Sequence, residues 1–430
     1  MRSVNFALSL KTATGWGAAV LLTSAYLAEN RKANQLLADL PDSFVGDRRA
    51  QCQSLFLGAL RSGLRVRAAC RPIMRKRPRP LVEAILLVAG YELLHAPPAK
   101  GPQIVHHAVE QSKPLVAAGE SRFLNALLRR LPDALAAQSP EDDPAAYYAH
   151  PDWLVARWMA VFGDPATRRL LEWNQGVPET FIRFYGTTDP PDALAPAEWP
   201  GFHRIDAPGL RSQTVRALLA SGEAYIKDPS TRHAPALLAP RPGDEVLDLC
   251  ASPGGKAFDL AHSMDRRGRL VAVDLPGPRI ARLEENLAKL RSDDFRAEIL
   301  ESDVLALSAS VFEKHGLPPD YHAVMLDAPC SNTGVIRRRT DVKWRLRPDD
   351  IPRCAKLQQQ LIHSAARFVR PGGRLCYSTC SIEPEENREL LGDFLASKSG
   401  AAFSLQAERI CLPWDCRHDG ASAFLLSRAP

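Results

Sequence analysis

Up to about residue 131 the apolar residues recur three and four positions apart, in stretches separated by Gly, Pro or short polar runs. "AAVLLTSAYLAENRKANQLLADL", "RAQCQSLFLGALRSGLRVRAAC", "LVEAILLVAGYELLHA", "PQIVHHAVEQSKPLV" and "ESRFLNALLRRL" all read this way. They predict an all-α bundle ending near Leu131, within a domain at 1–135. A linker rich in Pro, Ala and acid follows, "PDALAAQSPEDDPAAYYAHPDW". Residues 146–236 mix helical stretches ("WLVARWMAVFG", "ATRRLLEWNQG") with the strand-like "TFIRFYG", which predicts a small α+β connecting domain. Near Pro240 the pattern changes. "EVLDLC", "RLVAVDL", "AEILESD", "HAVMLDA" and "GRLCYSTC" are short apolar runs ending in polar or small residues, with helical stretches between several of them. This alternation predicts a parallel, doubly wound α/β sheet over 237–430. Ligands of such sheets sit at the carboxyl ends of the strands.

Composition narrows the function classes. The chain has 430 residues, 45% of them hydrophobic, and a formal net charge of +6. That length suits two or three domains with their own cores. The charge suits a polyanionic partner and equally a mildly basic enzyme. The apolar stretch "WGAAVLLTSAYLAENRK" is too short to span a bilayer and lacks a cleavage site, so it reads as a core helix and no membrane partner is expected. Nine cysteines stand at 52, 70, 250, 330, 354, 376, 380, 411 and 416, none in a CxxC pair. The expectation is free thiols in a reducing cytoplasm and no metal site.

The informative residues lie at strand ends. "VLDLCASPGGK" (246–256) places Pro253, Gly254 and Gly255 in a tight turn between strand and helix. Two glycines allow close backbone approach to a ligand, and the helix start offers unpaired N–H groups. The GxGxxG spacing and the Walker lysine pattern are both absent. Asp274 ends the second strand, where a carboxylate can accept from both hydroxyls of a ribose. Asp303 ends the third, where it can accept from an adenine amino group. Each alone also reads as a helix cap or turn residue. Together, after a glycine turn, they suggest an adenosine-bearing cofactor without a phosphate loop, and S-adenosylmethionine fits.

Two cysteines follow apolar runs: Cys330 in "LDAPCSNTG" and Cys380 in "YSTCSIEPEEN". Methylating carbon 5 of a pyrimidine needs a thiolate that adds to carbon 6, making carbon 5 nucleophilic, and a base that then removes the carbon 5 proton. The base must be flipped out to expose both faces. Two strand-end thiols can supply both roles, with Asp327 holding the cytosine edge. Buried, inert cysteines are the alternative, and Cys354 and Cys376 read that way.

"DLCASPGGK", "DAPCSNTGVIRRRTDVKW" and "YSTCSIEPEEN" resemble the signature motifs of the RNA cytosine-5 methyltransferases. The resemblance runs from about Gly222 to the C-terminus and implies a Rossmann-like, S-adenosylmethionine-dependent core. It implies Cys380 as nucleophile and Cys330 as the base that releases product. It also implies that Cys250, Ala251, Ser252, Pro253, Gly254, Gly255 and Lys256 line the cofactor site. Asp274 would lie on the ribose, Asp303 on the adenine, and Asp327 near methyl donor and target base, with Lys256 also within reach of the base. In the N-terminal third, "LFLGALR", "VAGYELL" and "SRFLNALLRRL" are similar to NusB. A NusB-like RNA-binding domain before this core is the layout of the bacterial RsmB-type enzymes, which implies a monomer acting on a 16S ribosomal RNA cytosine. Lys227 stands where that pattern has glutamine, Ser252 where it has alanine and Thr340 where it has proline; the "HDGASAFLLSR" tail is longer than usual. Methylation of an exocyclic amino group is disfavoured, because its Asp/Asn-Pro-Pro-aromatic strand end is here "DAPC". Another RNA cytosine, or a non-catalytic RNA-binding assembly factor, are the alternative functions.

Two basic stretches complete the reading. Arg61 to Pro80 holds eight Arg or Lys and no acid, and Arg337 to Arg347 holds six. Either supplies phosphate contacts or a solvated face. The second directly follows the Cys330 motif, so its charges are expected near the active site, with Trp344 stacking on a base or anchoring the loop.

Overall fold

The computed structural model describes residues 13–29, 31–74 and 76–430. The first twelve residues of the expected helical domain, with Asn30 and Arg75, lie outside the described residues.

The chain forms two compact units. One holds residues up to Gly176 together with Ile336–Leu346; the other holds Val177–Val335 and Arg347–Pro430. The expected connecting region is therefore divided: helices Asp152–Phe162 and Asp164–Gln175 belong to the helical unit, and the strands after them to the second unit.

In the helical unit, helix Pro80–His95 is buried continuously from Val82 to Gly90. A helix apolar all round belongs at the centre of a bundle. Helix Gly46–Cys70 crosses it closely, since a Cβ on Gly90 would lie 2.6 Å from the Val66 side chain. The last long helix does not stop near Leu131. It runs Ala118–Ala136 through Pro132 and buries Leu135 against the bundle.

Residues 336–346 depart from expectation. The Lys343 side chain is 1% exposed and donates to the Arg61 carbonyl. Trp344 Nε1 donates to the Leu60 carbonyl at 2.7 Å, its ring edge-on to Tyr26 and under the Arg67 guanidinium. Tyr26 donates in turn to the Asp341 carbonyl at 3.1 Å. Trp344 is thus an anchor inside the helical unit, and the basic character of the segment does not make it a solvent-facing patch.

The second unit carries two sheets. A four-stranded antiparallel sheet, β1 (Thr180–Phe184), β2 (Ala195–Pro196), β3 (Phe202–Ile205) and β4 (Ala224–Ile226), has order β2-β3-β1-β4. The large sheet comprises β5 (Glu245–Leu249), β6 (Gly268–Asp274), β7 (Phe295–Glu301), β8 (Tyr321–Asp327), β9 (Val369–Thr379), β10 (Phe403–Cys411) and β11 (Ala421–Arg428). Its order is β10-β11-β9-β8-β5-β6-β7, with β11 antiparallel to both neighbours and β5 to β9 mutually parallel. The tail expected to be unusual forms β11. Val246, Leu247, Val324, Met325 and Leu326 are fully buried, as central strands covered on both faces require. Strand order reverses around β5, between β6 on one side and β8 on the other, the point at which such sheets bind ligands beyond the strand ends. Among the described residues, no helix is long and apolar enough to cross a membrane.

Candidate active site

The turn after β5 enters helix Gly255–Ser263 with Cys250 at φ 61° and Gly254 at φ 97°. The glycine carries its left-handed conformation without strain. Asp274, at the end of β6 and buried, accepts from Ser252 N at 2.8 Å, from Leu275 N at 2.8 Å and from Arg279 at 2.9 Å. The β5 turn and the β6 end are thereby tied together. Asp303 lies just past β7, is exposed, and accepts from Leu305 N at 2.9 Å; among the described residues it shares no hydrogen bond with the other expected site groups.

Lys256, in the first turn of that helix, pairs with Asp327 at the end of β8, and Asp327 accepts from Ser378 of β9 at 2.9 Å. One charged chain thus joins three strand ends. Burial opposes the Lys256 charge, but Asp327 and then Asp248 outweigh it and raise its pKa. Asp248 in β5 is 1% exposed, and among the described residues neither carboxylate oxygen has a hydrogen-bond partner. Burial, reinforced by Asp327 and Asp274 and opposed by Lys256, pushes it up to about 8. Burial chiefly raises Cys250 as well, so that thiol is inert in the free protein.

Cys330 stands three residues beyond β8 and Cys380 one beyond β9, on parallel neighbours in which Asp327 faces Ser378. Their sulfurs are 3.1 Å apart and both thiols are free. Asn332, at φ 63°, donates to the Cys330 carbonyl at 2.7 Å and accepts from Cys380 at 3.5 Å. The Cys330 pKa is raised, first by its hydrogen bond to Cys380, then by burial and by negative charge on Cys380 and Glu386.

Beneath the thiols lies a polar network that the sequence did not disclose. The buried Glu386 carboxylate accepts from Ser331 N at 2.9 Å, Gln358 at 2.7 Å and Ser381 Oγ at 2.7 Å. Gln358 also holds the Pro329 carbonyl at 2.9 Å, and Asn387 holds the carbonyls of Ser381 and Glu383. Burial raises the Glu386 pKa against the pull of these donors. Both cysteine loops are thus hung from one carboxylate. The only available signal was "EPEEN", which reads as an ordinary helix start.

Lys227 has a role as well. It is buried and donates to Tyr185 Oη at 2.7 Å and the Gly255 carbonyl at 3.0 Å, and pairs with Asp259. The unusual lysine is matched by a nearby carboxylate and braces the helix start beside the glycine turn. Among the expected residues, then, Cys330 with Cys380 and Asp327 with Lys256 form two bonded pairs at the ends of β8 and β9, Asp274 is tied to the turn after β5, and Asp303 stands apart.

Comparisons with known proteins agree along the chain. Residues 235–409 match the family model described as 16S rRNA methyltransferase RsmB/F, and 18–133 match the NusB family. Curated relatives named ribosomal RNA small subunit methyltransferase B include one from Erwinia tasmaniensis, 32% identical over 84% of this chain and 85% of its own. Another, from Salmonella paratyphi B, is 31% identical over 87% and 88%. Among solved structures, that of PH0851 matches with a TM-score of 0.74 at 22% identity, covering 97% of this chain and 99% of that one. NSun6 from Pyrococcus horikoshii, solved with SFG, matches at 0.55 and 17%, covering 65% and 98%. These structural likenesses establish the fold.

Proposed function

The chain belongs to the RsmB/F family of 16S rRNA methyltransferases, and on that premise we propose that it methylates carbon 5 of a 16S ribosomal RNA cytosine through a covalent adduct on Cys380. The observation that carries this reading is the pair of free thiols 3.1 Å apart at adjacent strand ends.

The Cys380 thiolate adds to carbon 6 of a flipped-out cytosine, and the ring electron pair moves to carbon 5. Asp327, oriented by Lys256 and Ser378, holds the cytosine edge and favours protonation at N3. In the free enzyme the hydrogen bond to Cys380 and burial favour the protonated Cys330 thiol. Once Cys380 is bonded to carbon 6 its contribution ends, while burial and Glu386 remain, and Cys330 passes its proton to water before it acts as the base. Cys330 then takes the carbon 5 proton, the carbon 6–sulfur bond breaks, and the Cys380 thiolate is restored.

The family implies an S-adenosylmethionine-type cofactor. The residues fit one: a buried carboxylate, Asp274, ends β6 beside a glycine turn and can accept from a ribose diol. Cys250, Ala251, Ser252, Pro253, Gly254 and Gly255 would line the site, with Asp274 on the ribose, Asp303 on the adenine and Asp327 toward the sulfonium. When bound, S-adenosylmethionine supplies the methyl group that the activated carbon 5 takes up. The reading includes action as a monomer in the cytoplasm.

Labelled methyl transfer to unmodified 16S ribosomal RNA, mapped by bisulfite sequencing, tests it. One protected cytosine is expected with wild type and none with Cys380→Ala. Transfer that survives Cys380→Ala, or a product outside carbon 5, overturns the mechanism.

A further inference from the structure

Away from the thiol pair, three potential metal ligands come together from three distant parts of the second unit. His233 opens helix His233–Leu238, Cys411 ends β10, and His418 lies in the loop leading into β11. One donor atom from each lies within 4.8 Å of the others. Cys411 is not in a disulfide. None of the three belongs to the machinery described above.

We propose that His233, Cys411 and His418 form a three-ligand binding site for a divalent zinc-class ion, with water in the fourth position. Three features support it. The two histidine Nε2 atoms face each other at 3.2 Å. Tetrahedral zinc with nitrogen ligands at about 2.0–2.1 Å sets its ligand nitrogens about 3.3 Å apart. Next, His418 Nδ1 lies 2.7 Å from the Asp419 carbonyl. A carbonyl only accepts, so Nδ1 carries the proton and Nε2 presents its lone pair to the cluster. A ligating imidazole is commonly fixed through its other nitrogen in this way. Finally, two imidazoles and a thiol form a borderline-soft donor set that favours zinc over magnesium or calcium. Outer contacts hold the frame. Asp228 accepts from Ser230 N at 2.9 Å and Asp419 N at 3.2 Å, and the Trp199 ring lies 5.6 Å from the His418 ring.

An ion here ties the β10–β11 hairpin to the helix that enters the methyltransferase core. It is a fastening, and it takes no part in methyl transfer.

The test uses full-length protein stripped with a chelator, then titrated with Co²⁺ as spectroscopic probe. One Co²⁺ per chain is expected, with tetrahedral d–d absorption and a thiolate charge-transfer band, both erased by one equivalent of Zn²⁺. Cys411→Ser and His418→Asn should each weaken binding by at least about 100-fold. Cys380→Ser, which removes a different thiol, should leave it unchanged. Zn²⁺ should also raise the Tm of the stripped wild type, a readout that needs no variant to fold. Octahedral cobalt spectra, bands lost in Cys380→Ser but kept in Cys411→Ser, or a Cys411–Cys416 disulfide in protein purified under reducing conditions would overturn the proposal.

Discussion

Glu386, below the cysteine loops, and Asp248, near the end of β5, are both buried carboxylates of the large-sheet domain. Glu386 accepts from Ser331, Gln358 and Ser381, whereas Asp248 accepts from nothing among the described residues. Burial raises both pKa values, but on Glu386 the donors pull back, while on Asp248 two neighbouring carboxylates push further. The thiol side is thus fixed before any substrate arrives. The cofactor side holds polar capacity in reserve, as a site that exchanges its ligand every turnover needs.

The contrast can be broken in four places. The largest effect is expected at the thiols. Cys380→Ala should slow transfer by about 10⁴-fold or more. Cys330→Ala should accumulate a protein–RNA adduct that survives denaturing electrophoresis; if no adduct forms, the division of roles between the sulfurs is wrong. Next, Glu386→Ala leaves three donors without an acceptor, and urea unfolding should show a loss of about 3 kcal/mol. A loss below about 1 kcal/mol would mean that water or a neighbour replaces the carboxylate. Third, Asp274→Asn should weaken S-adenosylmethionine binding by about 10–100-fold in calorimetry, with RNA binding unchanged. An unaltered Kd would move the ribose elsewhere.

The fourth concerns pH. Asp248 titrates at about 8 in the folded protein, against about 3.9 unfolded. Between those values the folded state holds a proton that the unfolded state releases. Stability from this group is therefore full below pH 4 and falls as pH rises toward 8. From pH 6 to 7 the loss should be on the order of 1 kcal/mol. Asp248→Asn should flatten that slope in Tm measurements; an unchanged slope would show that Asp248 is ionised throughout.

The sequence made some of this legible and hid the rest for physical reasons. "DAPC" and "STC" each mark a thiol after a strand, and the glycine turn and Asp274 follow the same strand-end logic. The network was hidden because Ser331, Gln358 and the Ser381–Glu386 stretch come from three separate segments and are unremarkable alone. The 337–347 stretch misled through its charge: a lysine stem and an indole bury well once Nζ and Nε1 each find a backbone carbonyl. The absence of CxxC spacing argued against a metal, yet His233, Cys411 and His418 converge only through the fold. Pro132 reads as a breaker, but Leu135 one turn on has a core to enter.

The eleven-residue return of the chain into the helical unit has a consequence for biosynthesis. A ribosome delivers the N-terminal helices first, but Lys343 and Trp344 are made only after 342 of the 430 residues. Until then the groove between Tyr26, Leu60 and Gly63 stays vacant on the nascent chain. The first region translated is thus among the last to be finished, and residues 177–335 of the second unit must be synthesised before it can close.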